Sequence, residues 1–531
     1  MLDAAGRNSH ALAAVPAPGW AIHRMSPASR LASANGIRTG ADGRIYVAQV
    51  AGSMVSAVNV ENGEIETISP NGGGIVGPDD LAFDEAGNLY CTEITLGRVS
   101  MMTPAGEYRV IHGDVPVANP ITYHQGRLIA GELRPGGRIL ELDRDGGAPR
   151  VICKGVPMVN AFDVGPDGKL YFPAQGANQI WRIPLEGGEP EVVAGELGVP
   201  DSVKFHPDGS IISTQVYSGQ VLKIDPRTGD RILLADIGPG LDNVAFVGGR
   251  TFVSHINGSI TEILEPGKTK PLVEKGLQWP LGIAVDEHGH VLVADGGFCY
   301  LLRAGEHLQL AGMLFSPGFP GWVRDAAACG PDEWIVTTAN GDVARWNPAA
   351  ATSEVLASGY DRLMGVALGP GGSPVFAESA TGKVFAIESG NAVELASGLD
   401  RPMGMAVSAD GTVFVGESGA GRVVKLVGAR KEVVLDGLAR PEGLAIAGGT
   451  LFVADPGAQA IVAADLSGSA RETIATRLPI GGAGGAQPVQ LGGVGDMCGP
   501  MNTFTGIAAA PDGTLYLSAD AEGSILALRR L

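Results

Sequence analysis

A unit of about 40 residues recurs along this chain of 531 residues, and no other feature limits its fold as tightly. In each copy a short apolar strand runs into a Gly-rich turn, often Asp-Gly, and a second apolar strand returns. The segments NAFDVGPDGKLYFPA, DSVKFHPDGSIISTQ, LGIAVDEHGHVLVAD, MGMAVSADGTVFVGE and EGLAIAGGTLFVAD show the pattern. Asp-Gly between apolar runs is the strongest short-range hairpin signal. Two weaker alternating stretches follow, as in GQVLKIDP and DRILLADI. Four strands in roughly 40 residues, repeated, is the signature of a propeller blade. Twelve second strands can be counted, from IYVAQ at 45–49 to LYLSA at 515–519. Propellers hold about 4–8 blades. The expectation is therefore an all-β chain of two six-bladed β-propellers, in preference to one larger ring or a seven-plus-five division.

The repeat count also sets domain boundaries. Residues 1–34 form an N-terminal arm with a closing strand, 35–278 the first propeller and 279–531 the second. The last unit stops after its third strand, GSILALRRL, so a fourth must come from elsewhere. GWAIHRMS at 19–26 is the spare strand, and pairing it would remove a sheet edge. The residues leave open which propeller it closes.

Composition excludes several partners. A net charge of −19 argues against nucleic acid and anionic membranes. No apolar run is long enough to span a bilayer. The opening MLDAAGRNSHALAAVPAPGW has an early acid and no sustained apolar stretch, unlike a signal peptide. Five scattered Cys make neither a disulfide framework nor a CxxC pair, which makes a reducing cytoplasm the expected compartment.

One position in the repeat carries chemistry. In the first half it reads Asn35, Asp79, Asn119, Asn160, Asp201 and Asp242; in the second, Leu281, Arg324, Met364, Met403, Glu442 and Thr505. The repeat itself therefore does not demand Asn or Asp there. If the first six units close in a circle, six oxygen-bearing side chains ring its axis, which suits a hard cation such as Ca²⁺. Asx-turns, the structural alternative, would place the same residues in both halves. About 14 residues on, at the same end of each blade, stand Gln49, Glu93, Glu132, Ala174 with Gln175, Gln215 and His255. Titratable groups converging on a hollow form a site candidate. In the second half Glu378, Glu417 and Asp455 occupy the later position and read as solvent-facing rim carboxylates.

Other motifs are weak. GGGIVG at 72–77 precedes a strand, not the helix a dinucleotide site needs. His288 and His290 fall in a hairpin turn at the end away from the rim. There is no GxSxG and no zinc spacing. Two approaches to first strands are long, GMLFSPGFPGW at 312–322 and a Gly-rich stretch at 478–506. They are surface loops or covers for a pocket mouth.

The unit GLDNVAFVGGRTFVSHINGS (240–259) resembles a blade of the calcium-dependent six-bladed propeller hydrolases. That superfamily includes gluconolactonase with senescence marker protein, paraoxonase and diisopropylfluorophosphatase. Its paraoxonase-type Asp-Asn pair of metal ligands corresponds to Asp242 and Asn243, and the His assigned a catalytic role there to His255. NGI at 35–37 resembles the family's metal-binding Asn, and PDDLAF at 78–83 its Asp-containing blade start. The first half is most similar to the gluconolactonase-like branch, and the second resembles NHL-type repeats. The family usually uses one Glu, two Asn and one Asp. This chain has no ring Glu and two further oxygen residues.

The resemblance implies a lactone or ester hydrolase. A divalent cation, Ca²⁺ first, would polarise a carbonyl. The expected ligands are Asp79, Asn160, Asp201 and Asp242. His255, Asp242, Glu93 and Glu132 are the acid, base or nucleophile candidates. Asn35, Asn119, Gln49, Gln215 and Asn243 are placed on the substrate, a small molecule. Two alternatives use the same parts: a metal-assisted carbon–oxygen lyase, and a non-enzymatic interaction scaffold with a structural metal.

Overall fold

A computed structural model describes residues 14–303, 306–428, 430–481 and 504–531. Their strands group into twelve antiparallel sheets, eleven of four strands and one of five. The described residues contain no α-helix, only 3₁₀ turns at Gln175–Ala177 and Pro370–Gly372. None of their helices is long and apolar enough to cross a membrane.

One sheet shows how sequence makes the unit. Leu241–Val247, Arg250–His255, Ser259–Glu265 and Lys268–Val273 pair in that order. The first hairpin turns at Gly248 and Gly249, whose φ of 56° and 82° lie where side-chain-bearing residues are disfavoured. Register then shifts between Leu241 and Val244. The same irregularity falls between Pro78 and Leu81, Ala118 and Ile121, Pro280 and Ile283, Leu363 and Val366, and Pro402 and Met405. Each shift brackets the position that carries the Asn/Asp set in the first half. A bulge of this kind re-aims a side chain away from the sheet face.

The apolar core is divided among the faces between successive sheets. Ala82, Tyr90, Val99 and Met101 pack against Ala118, Ile121, Leu128 and Leu140 of the next sheet. Val375, Ala377 and Val384 meet Met405, Val413 and Val415 in the same way. First strands approach one another closely through glycine. Gly443 N donates to Thr505 O and Gly506 N to Leu281 O. A Cβ on Gly404 would lie 2.1 Å from Glu442 O, and one on Gly36 would lie 2.5 Å from Asp79 O.

The described chain forms two compact units. Ser29–Gln278 is one, and the described residues on either side of it form the other. The N-terminal arm joins the second. Trp20–Arg24 pairs with Ser524–Arg530, completing the sheet of the last repeat. Val15–Pro16 adds a fifth strand beside Arg471–Thr476. Of the two long approaches, 312–322 packs Phe319 edge-on against Trp346 at 5.5 Å. Most of 478–506 lies outside the described residues.

Candidate functional site

The six Asn/Asp residues of Ser29–Gln278 are all buried, each at most 9% exposed. Hydrogen bonds link them side chain to side chain. Asn119 Nδ2 donates to Asn160 Oδ1 at 3.0 Å, and Asn160 Nδ2 to Asp201 Oδ2 at 3.0 Å. Asn35 Nδ2 donates to Asp242 Oδ2 at 3.3 Å across 207 residues of sequence. Gln175 Nε2 adds a bond of 2.9 Å to Asp201 Oδ2. The structure thus brings all six to one place, with Gln175 beside them.

Three carboxyl groups share this buried ring, and all three are raised, first by burial and then by neighbouring carboxyl charge. Burial lifts Asp79 to about 7, with Asp80 adding like charge. Burial followed by the Asp79 charge holds Asp201 well above the usual carboxylate range, against the pull of the Gln175 bond. Asp242 is raised in turn by burial, Asp201 and Asp79. Desolvation and like charge act together here, the arrangement that marks functional sites more often than structural ones.

Two acceptors in the ring stand open. Asn119 Oδ1 is buried with no hydrogen-bond partner among the described residues. No described group donates to the carboxyl of its ring neighbour Asp79, whose main-chain oxygen alone accepts, from Gly36. Buried acceptors are normally satisfied, so an orphan beside an unbonded carboxyl asks for a cation or a donor. The two open acceptors are hard oxygens, which suits a divalent cation of the Ca²⁺ type.

The rim residues do something else. Gln49 Oε1 accepts from Ala32 N at 2.8 Å, Glu93 Oε2 from Val76 N at 3.0 Å, and Gln215 Oε1 from Gly198 N at 3.1 Å. Each donor lies three residues before the ring residue of the same sheet. His255 follows the rule with a reversed bond. Its Nδ1 accepts from Asn257 N at 3.1 Å, so Nε2 carries the hydrogen and donates to Pro239 O at 2.7 Å. Burial drives its imidazolium form down to about 4. Glu93 also pairs with Arg98 at 2.7 Å and accepts from Tyr108. Burial alone would raise Glu132, but hydrogen bonds from Arg138 and Arg134 outweigh it and hold the group low.

The other unit uses the same clamp. Glu378 accepts from Asp361 N at 2.8 Å, Glu417 from Asp400 N at 2.9 Å, and Asp455 from Ala439 N at 2.8 Å. His255 and Glu93, two of the expected acid–base groups, and Gln49 and Gln215, expected substrate contacts, therefore anchor the loop before their first strands, whereas Glu132, the third acid–base candidate, is held by Arg134 and Arg138 in the turn that follows it. Asn243 is engaged one layer deeper, with Nδ2 3.4 Å from Asp80 Oδ1 and Oδ1 accepting from Val244 N. Sequence reasoning placed Gln175 on the rim, where the structure bonds it to Asp201, and passed over Asp80. The Asp-Asp pair at 79–80 was the available signal for Asp80.

At the ring positions of the other unit Arg324 lies over the Trp279 ring at 5.4 Å. Glu442 accepts from Thr505 N at 2.6 Å and lies 3.1 Å from Arg440 Nε, close in distance but poorly aligned for a hydrogen bond. Among the described residues one His/carboxylate trio draws its ligand atoms within 4.8 Å: Asp286, His290 and Asp332. Asp286 there caps its own hairpin, accepting from His288 N and His290 N, and Asp332 pairs with Arg303.

Residues 7–252 match the family described as SMP-30/Gluconolactonase/LRE-like region. The match falls on the part of the chain that carries the oxygen ring. No curated protein matches the chain. Among solved structures it is similar to virginiamycin B lyase from Staphylococcus aureus, at 17% identity and a TM-score of 0.37, over 52% of this chain and 96% of that one. It is similar to a calcium-binding protein, regucalcin, from Agrobacterium tumefaciens strain C58, at 16% identity and a TM-score of 0.37, over 46% and 94%. A streptogramin B lyase matches at 12% identity and a TM-score of 0.24, over 70% and 93%.

Proposed function

We propose that the chain is a metal-dependent hydrolase of a lactone or ester, built as two six-bladed β-propellers with the active ring in Ser29–Gln278. The observation that carries the reading is the buried oxygen ring with two open acceptors, Asn119 Oδ1 and the Asp79 carboxyl. The match of residues 7–252 to a family whose description names gluconolactonase supports the substrate class. Asp79, Asn119, Asp201 and Asp242 would hold the cation, with Asn160 and Asn35 fixing the two acids through their amides. Bound there, a divalent cation supplies Lewis acidity toward a carbonyl oxygen.

The ring's own residues handle the proton. Asp201 accepts two amide bonds and Asp242 one, so both are held in place. Asp79 has no such restraint, since no described group donates to its carboxyl. The carboxyl oxygen that the cation does not engage is the base that takes a proton from the attacking water. The rim clamps hold the loops before the first strands and so fix the mouth.

The test is calorimetric titration with Ca²⁺ alongside hydrolysis of a δ-lactone and an aryl ester. Asp242→Asn is expected to weaken cation binding and turnover together, by at least tenfold. Asp79→Asn is expected to lower turnover by about 10²–10⁴ if Asp79 is the base. A protein that binds no divalent ion, or an Asp79→Asn/Asp242→Asn double variant at full rate, would refute the reading and favour a scaffold.

A further inference from the structure

The two units correspond position by position, and at one level a set of charged side chains in the first is matched by empty space in the second. Three residues after each ring position, Ser29–Gln278 carries Arg38, Ala82, Thr122, Asp163, Lys204 and Ala245. Arg38 reaches inward, donating to Leu81 O and Ile121 O and lying 3.8 Å from Asp80 Oδ1. Lys204 is buried and donates to Phe162 O at 3.2 Å. The middle of this unit is thus filled by the chain's own cations beside a buried acid.

In the other unit the same six positions are Ala284, Ala327, Ala367, Ala406, Ala445 and Ala508. The acid is retained. Asp325 stands where Asp80 does, and both make the same bond to the neighbouring first strand. Ile121 N donates to Asp80 Oδ2 at 3.1 Å, and Val366 N to Asp325 Oδ2 at 3.0 Å. The cations are not retained, and no described cationic side chain forms an ion pair with Asp325. The six alanines and Asp325 instead line a cavity of about 300 Å³. Burial lifts the Asp325 carboxyl to about 7 against the pull of two main-chain N–H groups, as befits an acid without a counter-charge.

The shape and chemistry select the occupant. A volume near 300 Å³ is at the small end of ligand sites. A divalent ion would find Asp325 as the one lining side chain that offers oxygen, short of the carboxylate set such an ion takes. An anion would meet a carboxylate. A neutral molecule would give the buried acid no counter-charge, so the acid would keep its proton; a cation alone lets it ionise. We propose that this cavity binds a small alkylammonium ion, its ammonium on Asp325 and its carbon chain among the alanine methyls. The ligand replaces from outside what Arg38 and Lys204 supply from within in the other unit. The site lies wholly in the unit without the oxygen ring and stands or falls apart from the hydrolase reading.

Calorimetric titration of the full chain with n-butylammonium, and separately with n-butanol, tests it. Butylammonium is expected to bind one to one and butanol at least tenfold more weakly. Asp325→Asn, nearly equal in volume, should cost butylammonium at least tenfold in affinity. Ala284→Arg, which returns the chain's own cation to the cavity, should abolish binding. Should either variant fail to fold, the wild-type comparison still decides. No binding of butylammonium, or equal binding of the alcohol, overturns the proposal, as does an Asp325→Asn protein with unchanged affinity.

Discussion

The ring and the rim differ in how they pass one comparison. Ring positions carry Asn or Asp only in the first half, so their identity answers to something other than the fold. Rim positions carry acids or amides in both halves, with Glu378, Glu417 and Asp455 matching Glu93 and Gln215. That sameness was legible in the sequence and marks a structural clamp. What hid it is that the bonded N–H lies on a loop of no fixed pattern, three residues before the ring. His255→Ala is accordingly expected to lose a clamp, costing about 1–3 kcal/mol in stability, while turnover per folded molecule stays within about twofold. Denaturant melts paired with turnover check this. A loss of about 10²-fold or more at unchanged stability would make His255 the base after all. Glu442 offers a pH test away from the ring. Burial raises it from 4.5 to about 7, against the Arg440 charge. Its folded form holds the proton more tightly than the unfolded form, so its contribution to stability is full below about 4.5 and is lost as pH rises through about 7. Glu442→Gln should flatten that fall, seen as a smaller drop in melting temperature between pH 5 and pH 8; an unchanged slope would assign the loss to other groups.

At the level of the strand pair, the Asp-Gly turns and apolar alternation announced the second strands plainly. The bulge at the start of the first strand was not legible, because register depends on the partner strand and not on local pattern. Yet that bulge aims the ring residues. The glycine after the ring position has a matching reason. The neighbouring strand's carbonyl fills the space of its absent side chain, as at Gly404 against Glu442 O at 2.1 Å. Gly404→Ala must push two first strands apart, and a loss of about 1–3 kcal/mol is expected from such overpacking. A thermal melt of the variant checks it, with Gly113→Ala as a reference for a glycine that has open space around it and no positive φ. Equal losses at the two sites would remove the close approach as the cause. The fifth strand, Val15–Pro16, went unforeseen, since two residues carry no periodicity.

For the molecule as a whole, the two units give a prediction that neither gives alone. If Ca²⁺ seats only in the oxygen ring, it stabilises one unit and leaves the other untouched. Scanning calorimetry in excess Ca²⁺ and in chelator should then show one of two transitions moving, by about 2.7 kcal/mol when the free ion exceeds its dissociation constant a hundredfold. Both moving together would place the ion elsewhere or couple the units. The strand pairing of Trp20–Arg24 with Ser524–Arg530 carries a consequence for biosynthesis. One sheet joins residues that leave the ribosome early to residues made about 500 positions later. Ser29–Gln278 owes none of its own sheets to that arm and can fold as soon as it has emerged, while Trp20–Arg24 waits unpaired until Ser524–Arg530 is made. A chain cut short before Ser524 therefore carries a finished first unit and an unpaired strand at Trp20–Arg24, an open edge of the kind that invites pairing with other chains and removal by quality control.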